Sequence, residues 1–86
     1  MKMSFRGHKY EVIFTDHAIA QMNMRGLDQS SILNVIETGE FKQKEENKFW
    51  IYKALTSRKD NLISVAAVIE KPRLIVVTAM VNWRPK

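Results

Sequence analysis

Three polar side chains, His17, Gln21 and Arg25, recur at intervals of four residues within residues 16–27. On an α-helix of 3.6 residues per turn, this spacing places them in one stripe. An imidazole carries protons near neutral pH, and a guanidinium is a permanent cation. A proton carrier beside a fixed cation suits the cleavage of a phosphodiester bond. An ordinary solvated helix face has the same composition, so both interpretations stay open.

Two further candidates lie in predicted strands. Lys53 shares a strand face with Ile51 and Leu55, so it interrupts an apolar row. Thr78 lies inside the apolar run 75–81, where its hydroxyl needs a partner or a purpose. Both also have an ordinary explanation, because lysine can extend from a strand to solvent and threonine is a good strand former.

The positive charge of the chain is concentrated in its second half. The 86 residues have a formal net charge of +5 and a pI near 9.8. Residues 1–47 carry six basic and seven acidic side chains, whereas residues 48–86 carry eight and two. The positive electrostatic field of the second half favours a polyanionic partner. Basic residues at turns can also serve only to keep a domain soluble. The candidates for binding nucleic acid through charge or aromatic stacking are Lys48, Trp50, Tyr52, Arg58, Arg73 and Arg84.

Length and composition predict one small soluble domain over residues 1–86. No apolar run approaches the ~20 residues that span a bilayer. The first residues contain no apolar signal region, so we expect a cytoplasmic protein without membrane contact. The absence of cysteine excludes disulfides and thiolate nucleophiles, and with two histidines we expect no metal site. A domain of this size has modest stability, which favours a homo-oligomer or a tight partner.

The order of predicted elements indicates an α+β fold. Residues 10–15 alternate as an N-terminal strand. Thr15 or Asp16 can cap a first helix, and Asp28 can cap a second helix that stops at Gly39. Extended segments follow at residues 41–45, 49–55, 62–69 and 74–81, the last two joined by a basic hairpin. We therefore expect the N-terminal strand and two helices to pack on a mostly antiparallel sheet of three to four strands.

The order and residues of these segments carry a resemblance to a known family. Residues 14–18, the Arg-Gly-Leu run at 25–27, a second helix and the closing segment 75–78 resemble the small bacterial domain-of-unknown-function family 4258. The similarity spans about residues 10–81. That family is grouped with RelE-like toxins in the barnase/colicin/RelE ribonuclease superfamily. Its helix usually has arginine where this chain has Gln21, so one cation of the stripe is missing.

The resemblance implies a RelE-like fold and a metal-independent endoribonuclease of toxin type that needs no cofactor. His17 and Arg25 match the family's helix motif, Thr78 matches the hydroxyl of its last strand, and Lys53 is added from strand parity alone. In this hypothesis His17 transfers the proton, Arg25 and Lys53 hold the phosphate, and Thr78 donates a hydrogen bond. The implied partners are RNA, including ribosome-bound mRNA, and an acidic antitoxin protein.

Two other functions stay open. A basic sheet face could bind RNA or an acidic protein without chemistry, and its affinity would fall steeply with salt. An interaction subunit with apolar patches would neither bind nor cleave nucleic acid and would tend to self-associate. RNA cleavage that depends on His17 separates the first function from both of these.

Overall fold

The fold is a six-stranded sheet with two helices, and a computed structural model describes residues 2–54 and 62–82 of it. The described elements are β1 (Lys2–Phe5), β2 (His8–Phe14), α1 (Asp16–Met24), α2 (Gln29–Thr38), β3 (Glu40–Glu45), β4 (Lys48–Ala54), β5 (Leu62–Glu70) and β6 (Arg73–Val81). The strands lie in the order β1-β2-β6-β5-β4-β3. Among these described strands, β2 and β6 are parallel and the other neighbours are antiparallel.

The predicted sheet of three to four mostly antiparallel strands is wrong. The described sheet has six strands of mixed direction and curls into a half-barrel. Of the described residues, 57% lie in strands and 26% in helices. The strand β1 has only four residues, so its alternation is too short to be distinctive in the sequence. The strand β2 pairs in parallel with β6. Because the two strands are far apart in the chain, no local sequence pattern indicates this pairing.

Both helices begin at capping residues that the sequence predicts. The Thr15 hydroxyl accepts a hydrogen bond from the backbone N of Ala18 at 3.0 Å. The Asp28 carboxylate accepts one from the backbone N of Ser31 at 2.8 Å. Each cap satisfies one of the amide groups that a helix start leaves unpaired.

The helix α2 ends at Gly39 as predicted, and close packing explains the glycine. A Cβ atom at this position would lie 2.5 Å from the carbonyl oxygen of Val35 and 2.6 Å from that of Tyr52. Both neighbours are backbone atoms, so a larger residue would force the helix and the strand β4 apart.

The core lies between the helices and one face of the sheet, here called the inner face. The helix α1 packs along β6, and α2 contacts β1, β4 and β5. The buried inner-face side chains are Val12, Phe49, Ile51, Ile63, Val65, Ala67, Leu74, Val76 and Ala79, and α2 adds Ile32, Val35 and Ile36. The opposite face, the outer face, carries the half-buried Trp50 and Thr78 and the exposed Ile13.

The two edge strands of the sheet meet through aromatic side chains. Phe5 in β1 packs edge-to-face on Phe41 in β3 and on Phe49 in β4, with ring centroids 5.5 and 5.4 Å apart. Such pairs contribute about 0.5–1.5 kcal/mol beyond the burial of their area. This aromatic seam of Phe5, Phe41 and Phe49 draws β1 towards β3 and accompanies the curl of the sheet.

The aromatic seam predicts a graded loss of stability. Replacing Phe5, which is 4% exposed, with alanine leaves a cavity between the two edges. We expect the Phe5→Ala variant to lower the free energy of unfolding by about 3–5 kcal/mol in urea titrations followed by circular dichroism. Phe41→Ala is the matched control, because Phe41 is 44% exposed, and it should cost less than half as much. Equal losses in the two variants would contradict this account of the seam.

Candidate active site and nucleic-acid surface

The first turn of α1 is fixed to β6 by the backbone and the side chain of Thr15. The backbone N of Thr15 donates a hydrogen bond to the carbonyl oxygen of Val76 at 3.1 Å. The Thr15 hydroxyl donates a hydrogen bond to the carbonyl oxygen of Val77 at 3.1 Å. The hydroxyl oxygen of Thr15 also accepts the hydrogen bond from the backbone N of Ala18 that caps α1. His17, which lies in this turn, is therefore held beside the part of β6 that leads into Thr78.

The imidazole of His17 is exposed, and it forms no hydrogen bond or ion pair with residues 2–54 or 62–82. The ordinary explanation for a histidine in a first helical turn is a bond to the backbone or to a neighbouring carboxylate. Asp16, the neighbouring carboxylate, makes no such bond within the described part of the chain. The exposed ring of His17 can therefore meet a substrate from solvent.

The predicted stripe on α1 is present between Gln21 and Arg25. The Nη1 atom of Arg25 donates a hydrogen bond to Oε1 of Gln21, so the guanidinium folds back along the helix towards its start. His17 and Arg25 are eight residues apart, which corresponds to about 12 Å along a helix axis. A polyanion lying along α1 would meet both side chains, whereas one phosphate held against His17 would be distant from the Cα of Arg25.

Lys53 bridges β4 to α2. Its Nζ atom donates to Oδ1 of Asn34 at 3.1 Å and to the hydroxyl of Thr38. The Thr38 hydroxyl donates in turn to the carbonyl oxygen of Asn34 at 2.8 Å. The ammonium group thus completes a polar cluster that attaches the last turn of α2 to the sheet.

The register of the sheet places Lys53 and Thr78 on opposite faces. Lys53 lies opposite Ile63 in β5, whereas Thr78 lies opposite Ala66 in the same strand. Ile63 and Ala66 are three residues apart, and side chains in a strand alternate between faces. The two predicted site residues therefore point away from each other, and we leave Lys53 out of the candidate site.

Thr78 belongs to a row of side chains across the outer face. It is opposite Ala66, Ala66 is opposite Trp50, and Trp50 is opposite Lys42. With strands about 4.8 Å apart, this outer row spans roughly 14 Å. Ala66 and Trp50 also line a pocket of about 190 Å³ together with Lys48. The outer row thus presents a hydroxyl, an indole ring and an ammonium group along one line.

The remaining predicted nucleic-acid-binding residues divide by location. Lys48 and Tyr52 lie two residues on either side of Trp50 in β4, so they share the outer face with it. Lys48 also forms an exposed ion pair with Glu45 at 3.4 Å. Arg73 lies at the start of β6, paired with Glu70 in β5 and with Glu11 in β2. Arg58 and Arg84 lie outside the described residues.

Lys42 is the charged member of the outer row, and sequence reasoning missed it. The strand β3 that carries it is exposed along its whole length, so its burial pattern does not reveal which face a side chain occupies. The two-residue turn at 46–47 would by itself place Lys42 opposite Ile51, but a β-bulge between Gln43 and Glu45 shifts the register and places Lys42 opposite Trp50, so no local signal in the sequence shows its face.

Within residues 2–54 and 62–82, there is no group of three or more His, Cys, Asp or Glu side chains that could hold a metal ion. Neither of the two described helices combines the length and the hydrophobicity required to cross a membrane.

Comparison with known proteins identifies the family. The profile of the family described as Domain of unknown function (DUF4258) matches residues 14–81. The match covers most of the chain, so the protein belongs to this family. The matched range contains α1 with His17 and the complete outer row, whereas β1 lies before the matched range. No curated protein and no solved structure matches significantly.

The position of Lys53 predicts a structural effect. Replacing Lys53 with methionine removes two hydrogen bonds to α2, and since the site is half-exposed we expect unfolding to become easier by about 1 kcal/mol. Lys48→Met is the matched control and should cost less than 0.5 kcal/mol, because exposed ion pairs contribute little. Urea titration measures both variants. A Lys53→Met variant of unchanged stability that has lost RNA cleavage would return Lys53 to the active site.

Proposed function

We propose that this protein is an endoribonuclease of toxin type that cleaves RNA without a metal ion and uses His17 as its proton carrier. One observation carries the proposal. The exposed His17 lies in a helical turn that Thr15 fixes to β6 next to Thr78, at the end of the outer row. The turn that carries the proton carrier is thus attached to β6, the strand that carries the hydroxyl donor Thr78, and the basic aromatic surface extends from that strand across the outer face.

The proposed reaction is an attack of the RNA backbone on itself. His17 removes the proton from a 2′-hydroxyl, and the resulting oxygen forms a bond to the adjacent phosphorus. The bond from phosphorus to the 5′-oxygen breaks, and the imidazolium returns the proton to that departing oxygen. This route leaves a cyclic phosphate on one product and a 5′-hydroxyl on the other. General acid–base catalysis of this kind contributes about 10²–10⁴-fold to a rate.

The outer row supports the proposal by supplying the binding surface. A base can stack on Trp50, which is worth about 1–3 kcal/mol per base in proteins that bind single strands. Lys42 and Lys48 place two ammonium groups beside that ring, where the phosphates of the strand would pass. Thr78 can donate its hydroxyl to a phosphate oxygen, and Arg25 can bind a phosphate further along α1.

The resemblance to RelE-like toxins extends the proposal to partners. Free RNA or ribosome-bound mRNA is the proposed substrate, and an acidic antitoxin protein is the proposed inhibitor. The net charge of +5 supports both, because each is a polyanion.

A second candidate function, RNA binding without cleavage, is favoured by a separate observation. The ring and the ammonium groups of the outer row lie on β3 and β4, so they do not depend on α1. In addition, Gln21 replaces the arginine that the family's helix usually has, which leaves less positive charge beside His17.

Loss of His17 should abolish most RNA cleavage. We expect His17→Ala to reduce the cleavage rate of end-labelled RNA by about 10²–10⁴-fold in the presence of excess EDTA, with and without ribosomes. Asn23→Ala is the matched control, because it removes another exposed polar side chain from the same helix, α1. Circular dichroism of both variants tests whether they are folded.

Two results would contradict the catalytic proposal. A folded His17→Ala variant that cleaves RNA as fast as the wild type would exclude His17 as the proton carrier. A wild-type protein that binds RNA and never cleaves it, with or without ribosomes, would favour the second candidate function.

The outer row predicts a specific salt dependence of binding. In the His17→Ala background, which keeps the RNA intact, we expect Trp50→Ala to weaken binding of hexauridylate by about 5–150-fold through lost stacking. Lys42→Gln should reduce the slope of log affinity against log salt by about 0.7, the value for one phosphate contact on a single strand. Lys2→Gln, on the edge strand β1, is the charge-matched control and should leave the slope unchanged. Fluorescence anisotropy at several salt concentrations measures all three, and equal slopes for Lys42→Gln and Lys2→Gln would remove Lys42 from the surface.

A further inference from the structure

The turns of three hairpins meet at the end of the sheet that is remote from α1. These turns are residues 6–7, 46–47 and 71–72. An open cleft of about 660 Å³ lies between them. The strand β2 runs from this cleft at His8 to the start of α1, a length of about 20 Å. The cleft is thus separate from His17 and has the size of a small-molecule site.

The cleft is lined in part by side chains that carry nitrogen donors, from three places in the chain. They are the guanidinium of Arg6, the imidazole of His8 and the ammonium of Lys71. The Arg6 guanidinium carbon is 5.0 Å from the ring centroid of Phe41 and also 5.0 Å from that of Phe49. These two cation–π contacts hold the guanidinium in place beside the cleft before any ligand arrives.

The backbone of Arg6 is strained in a way that serves this position. Arg6 has a φ of 55° and is followed by Gly7 at 79°, as in a two-residue hairpin turn with both φ values positive. Asparagine or glycine occupies the first of these positions with less strain. A strained arginine in an exposed turn is typical of a residue retained for binding.

The lining of the cleft also includes hydrogen-bond acceptors and apolar side chains. Glu46 and Asn47 supply oxygen atoms that can accept hydrogen bonds, and Phe49 and Ile69 supply apolar surface. Tyr10 also lines the cleft and is 6% exposed.

We propose that this cleft binds a nucleotide through a phosphate monoester. The phosphate lies among Arg6, His8 and Lys71, since a guanidinium fork and an ammonium point charge are the side chains that recognise phosphate oxygens. The hydroxyl and amine groups of the sugar and base donate to Glu46 and Asn47, and the base packs against Phe49. A free nucleoside monophosphate and the phosphorylated 5′ end of an RNA strand share this chemistry. The proposal does not depend on cleavage by His17.

Isothermal titration of the purified protein with adenosine monophosphate, adenosine and inorganic phosphate tests the site. We expect saturable binding of the monophosphate, at least about tenfold tighter than that of adenosine, because charge-assisted hydrogen bonds hold the phosphate. Lys71→Gln and Arg6→Asn should each weaken this binding about tenfold or more. Arg6→Asn is expected to keep the fold, because asparagine tolerates a positive φ. Lys9→Gln is the charge-matched control, since Lys9 alternates with His8 and Tyr10 and points to the opposite face.

A second experiment distinguishes the two sources of the phosphate. Hexauridylate with a 5′-phosphate and hexauridylate with a 5′-hydroxyl are titrated into the His17→Ala protein. Tighter binding of the phosphorylated strand that is lost in Lys71→Gln supports the RNA end as ligand, and binding of the monophosphate without that difference supports the free nucleotide. If neither ligand shows a phosphate contribution that depends on Lys71, the nucleotide site does not exist.

Discussion

The contact of Phe5 with Phe41 and Phe49 joins strands that lie at opposite ends of the sheet order. A sheet of six twisted strands would normally leave its two edges far apart. Here the rings meet, the sheet curls into a half-barrel, and α2 lies where it reaches β1, β4 and β5 at once. The same curl brings the Arg6 turn to the ring pair of Phe41 and Phe49.

A second constraint acts through Thr15. The strand β2 pairs with the first half of β6, and α1 begins where that pairing stops. One hydroxyl both caps the helix and bonds to Val77, so the direction of α1 and its position along β6 are set together. The location of His17 therefore follows from the parallel pairing of β2 with β6. Of the described strand pairings, this one joins the residues that are furthest apart in the chain. The site is consequently a property of the tertiary fold and not of the helix alone.

The elements that sequence reasoning found are those with local causes. Capping residues, a glycine that no larger residue can replace and continuous apolar runs all act within a few positions, and they located both helices and the strands β3 to β6. The pairing of β2 with β6 and the contact of β1 with β3 are set by residues distant in the chain, so the mixed sheet could not be predicted. Strand parity correctly placed Lys53 with Ile51. It could not show that Asn34 and Thr38 in α2 lie above that face of the sheet and accept hydrogen bonds from Lys53. Nor could strand parity show that Thr78 lies on the other face of the sheet. The relative register of β4 and β6 is set by the pairing of each strand with β5.

The aromatic seam closes the curl with side chains, so the backbone edge of β3 beyond β4 has no neighbouring strand among the described elements. All six residues of β3 are exposed, and five of them are charged or polar: Glu40, Lys42, Gln43, Lys44 and Glu45. Charged edge strands of this kind resist the addition of a strand from another chain, because the incoming strand would have to bury those charges. An open half-barrel with one polar border can thus remain dispersed at high concentration, where an apolar border would seed fibrous aggregates.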